Sequence, residues 1–465
     1  MRIQPIAALV ALGLVLASPS PPSAFAQTRT EPEQPPVGLE LGPVYLRAEA
    51  QTLFIYRNDT DFDRSPPLYD ENGQSAGAFA TLLRPMLTWN VTGSVRIYYE
   101  AELGLNYWSR NNPDAADALQ ADVFVMKHRE LWAGGEFLDQ SLGLKLGYGR
   151  FLDPTGLFLN HWIGQAQVWV GGEENRFGLF VGQLPDPTHE GIDIRDNNFV
   201  RDIFVYGGRL DWRLARGHLL QAALLGLYDA HQPGRERWVL TPAVHYEAGQ
   251  PGDKLRLGLD ALLQVGQAEG QTLDGRIQNI LAWAAQAHLR WDITERLKLW
   301  PSRLDVNLLF LSPDDAHAGN ARQHAVLQAA KNRSATLMLT EDEVRDWYDN
   351  VDERLAGFSG GFYQNRAGLF VGDVDAMWRL VEEVWQLRLV LGAATALKPE
   401  NAMGHTFAGF EADLINTFQV DSFLVFHLVF GVLVPGGAAA VMLNGIDPEA
   451  TDPIWMAELS AMVRY

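Results

Sequence analysis

The chain contains no cysteine, so disulfides, thiol chemistry and cysteine-based metal sites are excluded. It also lacks a long hydrophobic run. Beyond residue 26 there is no stretch of about 18 uncharged apolar residues, the length a helix needs to cross a bilayer. The nearest approach, residues 423–443, is interrupted by His427 and by Pro435-Gly436-Gly437. Helical spans are thereby removed, but strands are not, because their hydrophobic signal per segment is weak. Positive charge is scarce, with 37 Lys and Arg against 57 Asp and Glu. Without a basic tract, nucleic-acid binding is not expected. The histidines show neither H-E-x-x-H nor another compact ligand spacing. Gly357-Phe358-Ser359-Gly360-Gly361 matches G-x-S-x-G, but the pattern predicts a helix before it and a strand after it, the reverse of a nucleophile elbow. His189-Glu190 with Asp193 and Asp196 reads as a solvated acidic loop rather than a calcium site. No catalytic residue, metal or cofactor is expected, and the chain does not read as an enzyme.

What is present points to export and to strands. Met1-Arg2, the apolar run Ile6 to Ala17 and Ser23-Ala24-Phe25-Ala26 together read as a secretory signal peptide over residues 1–26. Residues 27–38, with Pro32, Pro35 and Pro36, read as an extended periplasmic lead-in. The far end alternates without a fault. Trp455, Ala457, Leu459, Ala461, Val463 and Tyr465 fall on one side, and Met456, Glu458, Ser460, Met462 and Arg464 on the other. A final strand closing on an aromatic residue suits an outer-membrane barrel, where that residue sits at the membrane–water interface.

Eighteen candidate strands can be counted, with sixteen the alternative. They lie near 39–57, 78–91, 93–109, 119–136, 141–151, 164–172, 176–184, 200–214 and 217–230. The rest lie near 236–248, 253–267, 277–292, 296–311, 363–380, 384–397, 405–419, 422–435 and 453–465. Many alternate with period two. Leu255, Leu257, Leu259, Ala261 and Leu263, for example, oppose Lys254, Arg256, Asp260 and Gln264. Trp283 and Trp291 bracket the apolar face of another strand, as two interface girdles would. Long connections near 58–77, 110–118, 152–163, 185–199, 312–362 and 436–452 alternate with short ones, as a barrel with long outer loops and short periplasmic turns requires. The fold class is therefore all-β: a transmembrane antiparallel barrel over residues 39–465 in the outer membrane of a Gram-negative bacterium. Its long loop 312–362 carries a helix near 341–355, marked by the Thr340/Glu343 capping box, and residues 324–331 suggest a second short one. This loop is either an ordered outer loop or a lid over the mouth.

The polar strand faces collect charge: Arg47 and Glu49; Arg96, Glu100 and Glu102; Lys145; Arg256 and Asp260; Arg290; Arg303 and Asp305; Arg388; Glu411 and Asp413; Glu458 and Arg464. Opposite charges on neighbouring strands would stiffen the wall, and unmatched arginines would select an anionic solute. In His128-Arg129-Glu130-Leu131-Trp132 charge occurs on both parities, which requires a bulge or a strand end beyond the lipid. Across the closing seam, Glu458 and Arg464 are expected to meet Arg47 and Glu49.

Several segments carry a family resemblance. Leu83-Arg84-Pro85 opens a strand ending at Trp89; Arg129-Glu130-Leu131-Trp132 is followed by Leu144-Lys145-Leu146-Gly147-Tyr148-Gly149-Arg150; and Gly409-Phe410-Glu411-Ala412-Asp413-Leu414 precedes Gly431 to Gly436. In these segments the chain resembles the alginate-export family of outer-membrane proteins. The resemblance implies an eighteen-stranded conduit for polysaccharide, with Arg84, Arg129, Glu130, Lys145, Arg150, Glu411 and Asp413 lining the path and a periplasmic scaffold as partner. The acidic chain departs from that family's basic lumen. The expected function is a passive conduit for an exopolysaccharide, alginate-like or other; the alternative is an uptake porin for small solutes. The surrounding partners would be outer-membrane lipid and lipopolysaccharide.

Overall fold

The computed structural model describes residues 38–59, 74–105, 124–172, 174–184, 203–229, 236–250, 252–268, 278–293, 300–314, 322–323, 367–382, 384–421, 423–444, 448–449 and 451–465. The expected signal peptide, the lead-in up to residue 37, the helices near 324–331 and 341–355, the 357–361 motif and the acidic loop near 189–196 lie outside the described residues.

Twenty strands are described. They are β1 (Leu39–Leu41), β2 (Val44–Asp59), β3 (Gln74–Asn90), β4 (Val95–Leu105), β5 (Phe124–Phe137), β6 (Leu142–Leu152), β7 (Asn160–Gly171), β8 (Asn175–Leu184), β9 (Ile203–Ala215) and β10 (His218–Asp229). There follow β11 (Arg237–Ala248), β12 (Leu255–Ala268), β13 (Gln278–Asp292), β14 (Arg303–Leu311), β15 (Arg322–Gln323), β16 (Leu369–Val381), β17 (Trp385–Ala396), β18 (Phe407–Asp421), β19 (Leu424–Pro435) and β20 (Ile454–Arg464). Eighteen of these, β2–β14 and β16–β20, form one closed antiparallel barrel in chain order, and β20 pairs back onto β2. The two short strands are additions. β1 folds back on β2, and β15 lies parallel to β13 beside Asn279 and Ile280.

The strand count matches the period-two pattern; several boundaries shift by a few residues, and two of the shifts have clear local reasons. The first expected strand is split, because Gly42 adopts φ +62° before Pro43 and turns β1 into a hairpin with β2. The strand expected from residue 296 begins only at Arg303. Pro301, which has no N–H to give to a ladder, stands just before it.

The outer face is apolar and the inner face is not. On β12, Leu259 is 42% exposed while the next residue, Asp260, is 3% exposed. Water would favour the reverse, so the exposed leucines face lipid. Aromatic residues mark both ends of this band. Trp455, Trp238 and Tyr228 are near the extracellular strand ends, and Trp89, Trp212, Trp291 and Tyr465 are at the periplasmic ends; all are exposed. Ring contact between Tyr56 and Trp455, centroids 4.9 Å apart, carries the upper girdle across the closing seam.

The described helical structure is confined to two outer connections. A 3₁₀ turn, Pro399–Ala402, lies between β17 and β18. An α-helix, α1 (Gly437–Asn444), follows β19 within the expected long connection 436–452. Ala438, Ala439 and Ala440 are wholly buried, so the helix is enclosed rather than laid on a surface. The Pro-Gly-Gly sequence before it looks like a breaker, but the alanine run that follows has the highest helix propensity of any residue type. Gly437 is required by a close approach: a Cβ there would stand 2.5 Å from His405 Nδ1.

Candidate functional site: the barrel interior

The interior has two tiers. Along β13 the inward residues run Arg290, His288, Gln286 from the periplasmic end and then Ala284, Ala282 and Ile280. β14 repeats this with Arg303, Asp305 and Asn307 below Leu309 and Leu311, and β16 with Asp375 and Asp373 below Val371 and Leu369. The lower tier is charged. The upper tier is mainly apolar and belongs to one buried cluster that also holds Leu225, Leu227, Ile203, Leu433 and Ile454, with the buried Asp229–Arg237 pair at its extracellular edge.

Part of the upper tier is covered by the connection between β6 and β7, which folds inward over residues 153–159. Leu157, Phe158 and Leu159 are buried in the same cluster. Asp153 holds the turn. Its Oδ1 accepts hydrogen bonds from Thr155 N (2.9 Å), Thr155 Oγ1 (2.5 Å) and Gly156 N (3.2 Å). Its Oδ2 accepts from Phe158 N (3.1 Å) and Leu159 N (2.7 Å). Burial pushes this carboxyl up from its ordinary pKa range, against the pull of the hydrogen bonds.

Two ion chains run round the lower tier. The first crosses the closing seam: Arg464 Nε lies 3.6 Å from Glu49 Oε2, Arg84 Nη1 lies 3.1 Å from Glu49 Oε1, and Arg84 Nε lies 3.4 Å from Glu100 Oε1. Tyr98 Oη donates to Glu100 at 2.7 Å. Arg464 thus meets Glu49 as expected, whereas Glu458 stands opposite Ile55 and not beside Arg47. Because the Arg84 side chain is 33% exposed, Glu49→Gln should cost only about 1 kcal/mol of stability. The unfolding midpoint of the purified barrel checks this.

The second chain is deeply buried. Asp305 and Asp375 face each other across β14 and β16 on the rung that includes Arg290. Arg290 Nε and Arg303 Nε reach Asp305 at 2.6 and 2.7 Å. Arg303 Nη2 and Arg388 Nη2 reach Asp375 Oδ2 at 3.7 and 2.6 Å. Arg256 continues the row beside Arg290. Asn307 donates to Asp373 at 2.7 Å. Nearby, Glu411 and Asp413 stand opposite Gly392 and Val390 and are buried. Asp260 accepts from, or is paired with, His245 Nδ1 at 2.7 Å.

The third lower-tier group is a stack on β4–β6. Tyr98 lies against Trp132 with centroids 5.4 Å apart, and Lys145 Nζ stands 4.8 Å from the Trp132 ring centroid. Trp132 Nε1 donates to Glu130 Oε2 at 2.8 Å. Gly149 faces this group, since a Cβ there would lie 3.1 Å from Glu130 Oε2.

Among the residues expected in the lumen, Glu49, Arg84, Glu100, Glu130, Lys145, Asp260, Arg290, Arg303, Asp305 and Arg388 therefore join these groups. Arg47 and Arg96 share inner parity with Glu49 and Tyr98, and Arg256, Glu411 and Asp413 line the wall in register. The side chain of Glu102 lies outside the described residues. Arg129 and Arg150 depart from the expected placement. Arg150 falls between Gly149 and Phe151, both inward, so alternation turns it outward. Arg129 is the extra residue of a β-bulge opposite the Glu100/Ala101 step, which accounts for charge on both parities here. Asp373, Asp375 and His245 are additional wall residues. The i, i+2 acids of Val371-Gly372-Asp373-Val374-Asp375 were the readable signal for the first two.

A closed eighteen-stranded antiparallel barrel with a lipid-facing belt and a charged interior is an outer-membrane barrel of the size that forms aqueous channels. Its structure resembles Pseudomonas aeruginosa OpdK solved with vanillate, at 12% identity and a TM-score of 0.56, covering 90% of this chain and 98% of that one. Pseudomonas aeruginosa OccK9 (OpdG) is similar at 12% identity, a TM-score of 0.56 and the same 90% and 98% coverage. Acinetobacter baumannii OccAB4 is similar at 7% identity and a TM-score of 0.53, covering 93% of this chain and 100% of that one. No family model matches the chain. No curated protein matches it either. The likeness establishes the barrel fold and does not favour the alginate-export family over other outer-membrane barrels.

Proposed function

We propose that the protein is an outer-membrane channel for small solutes rather than a polysaccharide conduit. The observation that carries this reading is the buried upper tier. Side chains that point into the barrel at the extracellular half, such as Leu225, Leu311, Leu369 and Leu433, are sealed from solvent. The inward turn of residues 153–159 is part of that seal. A polymer of sugar rings needs a continuous wide wet lumen. A small solute needs only a short restricted passage with weak successive contacts. The vanillate-bearing OpdK structure supports a small organic molecule as cargo. The partner is then a solute in the lumen, with no periplasmic export scaffold.

Liposome swelling separates the two readings. The channel should admit monosaccharides and small organic anions while excluding oligosaccharides beyond a few rings. Free entry of long oligouronates would overturn it. Arg84, a part-exposed member of the ion chain at the closing seam, should contribute to ion preference. Arg84→Glu is expected to shift the reversal potential in a salt gradient toward cations.

A further inference from the structure

Among the described residues, solvent reaches different depths on different sides of the interior. From the periplasmic end, the inward residues of β3 are Thr88, Met86 and Arg84, and all three are half-buried. β4 repeats this with Arg96, Tyr98 and Glu100. On β9 the half-buried run Asp211, Arg209 and Gly207 follows an exposed Arg213. On the other side, exposure ends after one residue. β10 passes from half-buried Leu219 to buried Gln221, β13 from Asp292 to Arg290, and β20 from Arg464 to Met462. On β14 the first inward residue, Arg303, is already buried.

Like side chains show the same asymmetry. Met462 lies nearer the periplasmic end of β20 than Met86 does to that of β3, yet Met462 is 2% exposed and Met86 is half-buried. Gln221 lies nearer the end of β10 than Gln167 does to that of β7, yet Gln221 is buried and Gln167 is half-buried. The charges divide in the same way. The side chains of Arg84 and Arg209 are 33% and 31% exposed, against 5% and 4% for Arg290 and Arg303. The Tyr98–Trp132–Lys145 stack lies on the open side, and all three of its residues are half-buried.

We infer that the solute path is off-centre. It rises along the β3–β9 side with Arg84, Tyr98, Glu100, Lys145 and Arg209 as its contacts, and the Arg290–Asp305–Arg303–Asp375 chain lies outside it. This deepens the small-solute reading and rests on it. A moving solute exchanges weak contacts only with groups that water also reaches. Arg84 Nε and Glu100 Oε1, 3.4 Å apart, put both signs of charge on that one wall. Stiffening and selection, the two roles open to lumen charge, are thereby divided: the far side stiffens the wall and the near side meets the solute.

The native chain has no cysteine, so each introduced thiol is the only one present. Met86→Cys and Gln167→Cys test the open side, and Met462→Cys and Gln221→Cys the sealed side. The probe is a trimethylammonium methanethiosulfonate applied to the folded full-length barrel, with labelling followed by intact mass. The open-side pair should label at least about tenfold faster than the sealed pair, since thiol reaction follows exposure. In planar bilayers the reagent should lower the current through Met86→Cys and leave that through Met462→Cys unchanged. Equal labelling rates on the two sides overturn the inference. So does full labelling of the open-side pair with unchanged current, which would put the passage elsewhere. A variant without heat-modifiable gel migration is replaced by Thr88→Cys on the open side or Ser460→Cys on the sealed side. Liposome swelling reads the cargo separately: entry of long oligouronates together with one-sided labelling would overturn the small-solute reading and support the path.

Discussion

Asp153→Ala channels should pass about twofold more current or greater in planar bilayers than the native protein, because the inward turn over residues 153–159 loses its only common acceptor. Five donors converge on that carboxylate, four main-chain N–H groups and the Thr155 hydroxyl. All sit in a buried turn. Each buried donor left without a partner costs about 1–3 kcal/mol, so the turn is expected to leave its packed position and rehydrate. The barrel itself should survive, since its ladders do not depend on this residue. Asp153→Asn is the graded control: one oxygen remains, and the set of donors on the other is lost. Conductance in the alanine variant equal to native would show that the turn does not restrict the passage.

Asp305→Ala should destabilise the barrel by about 3–5 kcal/mol, the cost of removing one member of a buried ion pair and leaving its partner charged. Arg290 and Arg303 are only 4% and 3% exposed, so neither can turn to water. Arg290 loses its 2.6 Å contact and Arg303 its 2.7 Å contact, both to Asp305, leaving the 3.7 Å approach of Arg303 to Asp375 in place. The contrast with Glu49→Gln is the point of the experiment. Both substitutions cut an ion chain on the same inner face, but one chain is part-exposed and screened while the other is sealed. Urea titration of gel mobility, run on both variants, should separate them by more than about 2 kcal/mol. A loss at Asp305 no larger than that at Glu49 would mean that water reaches the lower tier freely.

Most of the wall was legible in the sequence. Period-two alternation is a property of each strand by itself, so the eighteen strands and their outward faces could be counted without knowing neighbours. Charge at Glu49, Asp305 and Arg388 could likewise be placed on polar faces, whereas Arg84 was pointed to only by the family resemblance. What could not be read was the partner of each charge, since that depends on register between strands, and a shift of a few residues puts Glu458 opposite Ile55 in place of Arg47. The buried upper tier was equally hidden. Leu309 and Leu311 look like a continuation of an apolar strand, and their burial inside the barrel depends on segments that fold in from elsewhere. Arg150 was misplaced for a related reason. Alternation within β6 alone sets it apart from Lys145, but a short motif with charge at both ends invites both onto one face.

The closing pair has a consequence for how the wall is assembled. Every barrel ladder but one joins strands that follow one another along the chain, and the exception sets Glu49 beside Arg464. Bringing chain positions about 400 residues apart together from a free coil carries an entropy cost of about 5 kcal/mol, whereas neighbouring strands close over far shorter connections at a lower cost. The order of assembly follows from that difference. Hairpins form first and zip into a curved open sheet, and β2 and β20 are its two raw edges. An open sheet of this kind offers both edges to any passing strand. The rate at which Glu49 finds Arg464 therefore sets how long the unfinished barrel stays vulnerable to joining with another copy of itself.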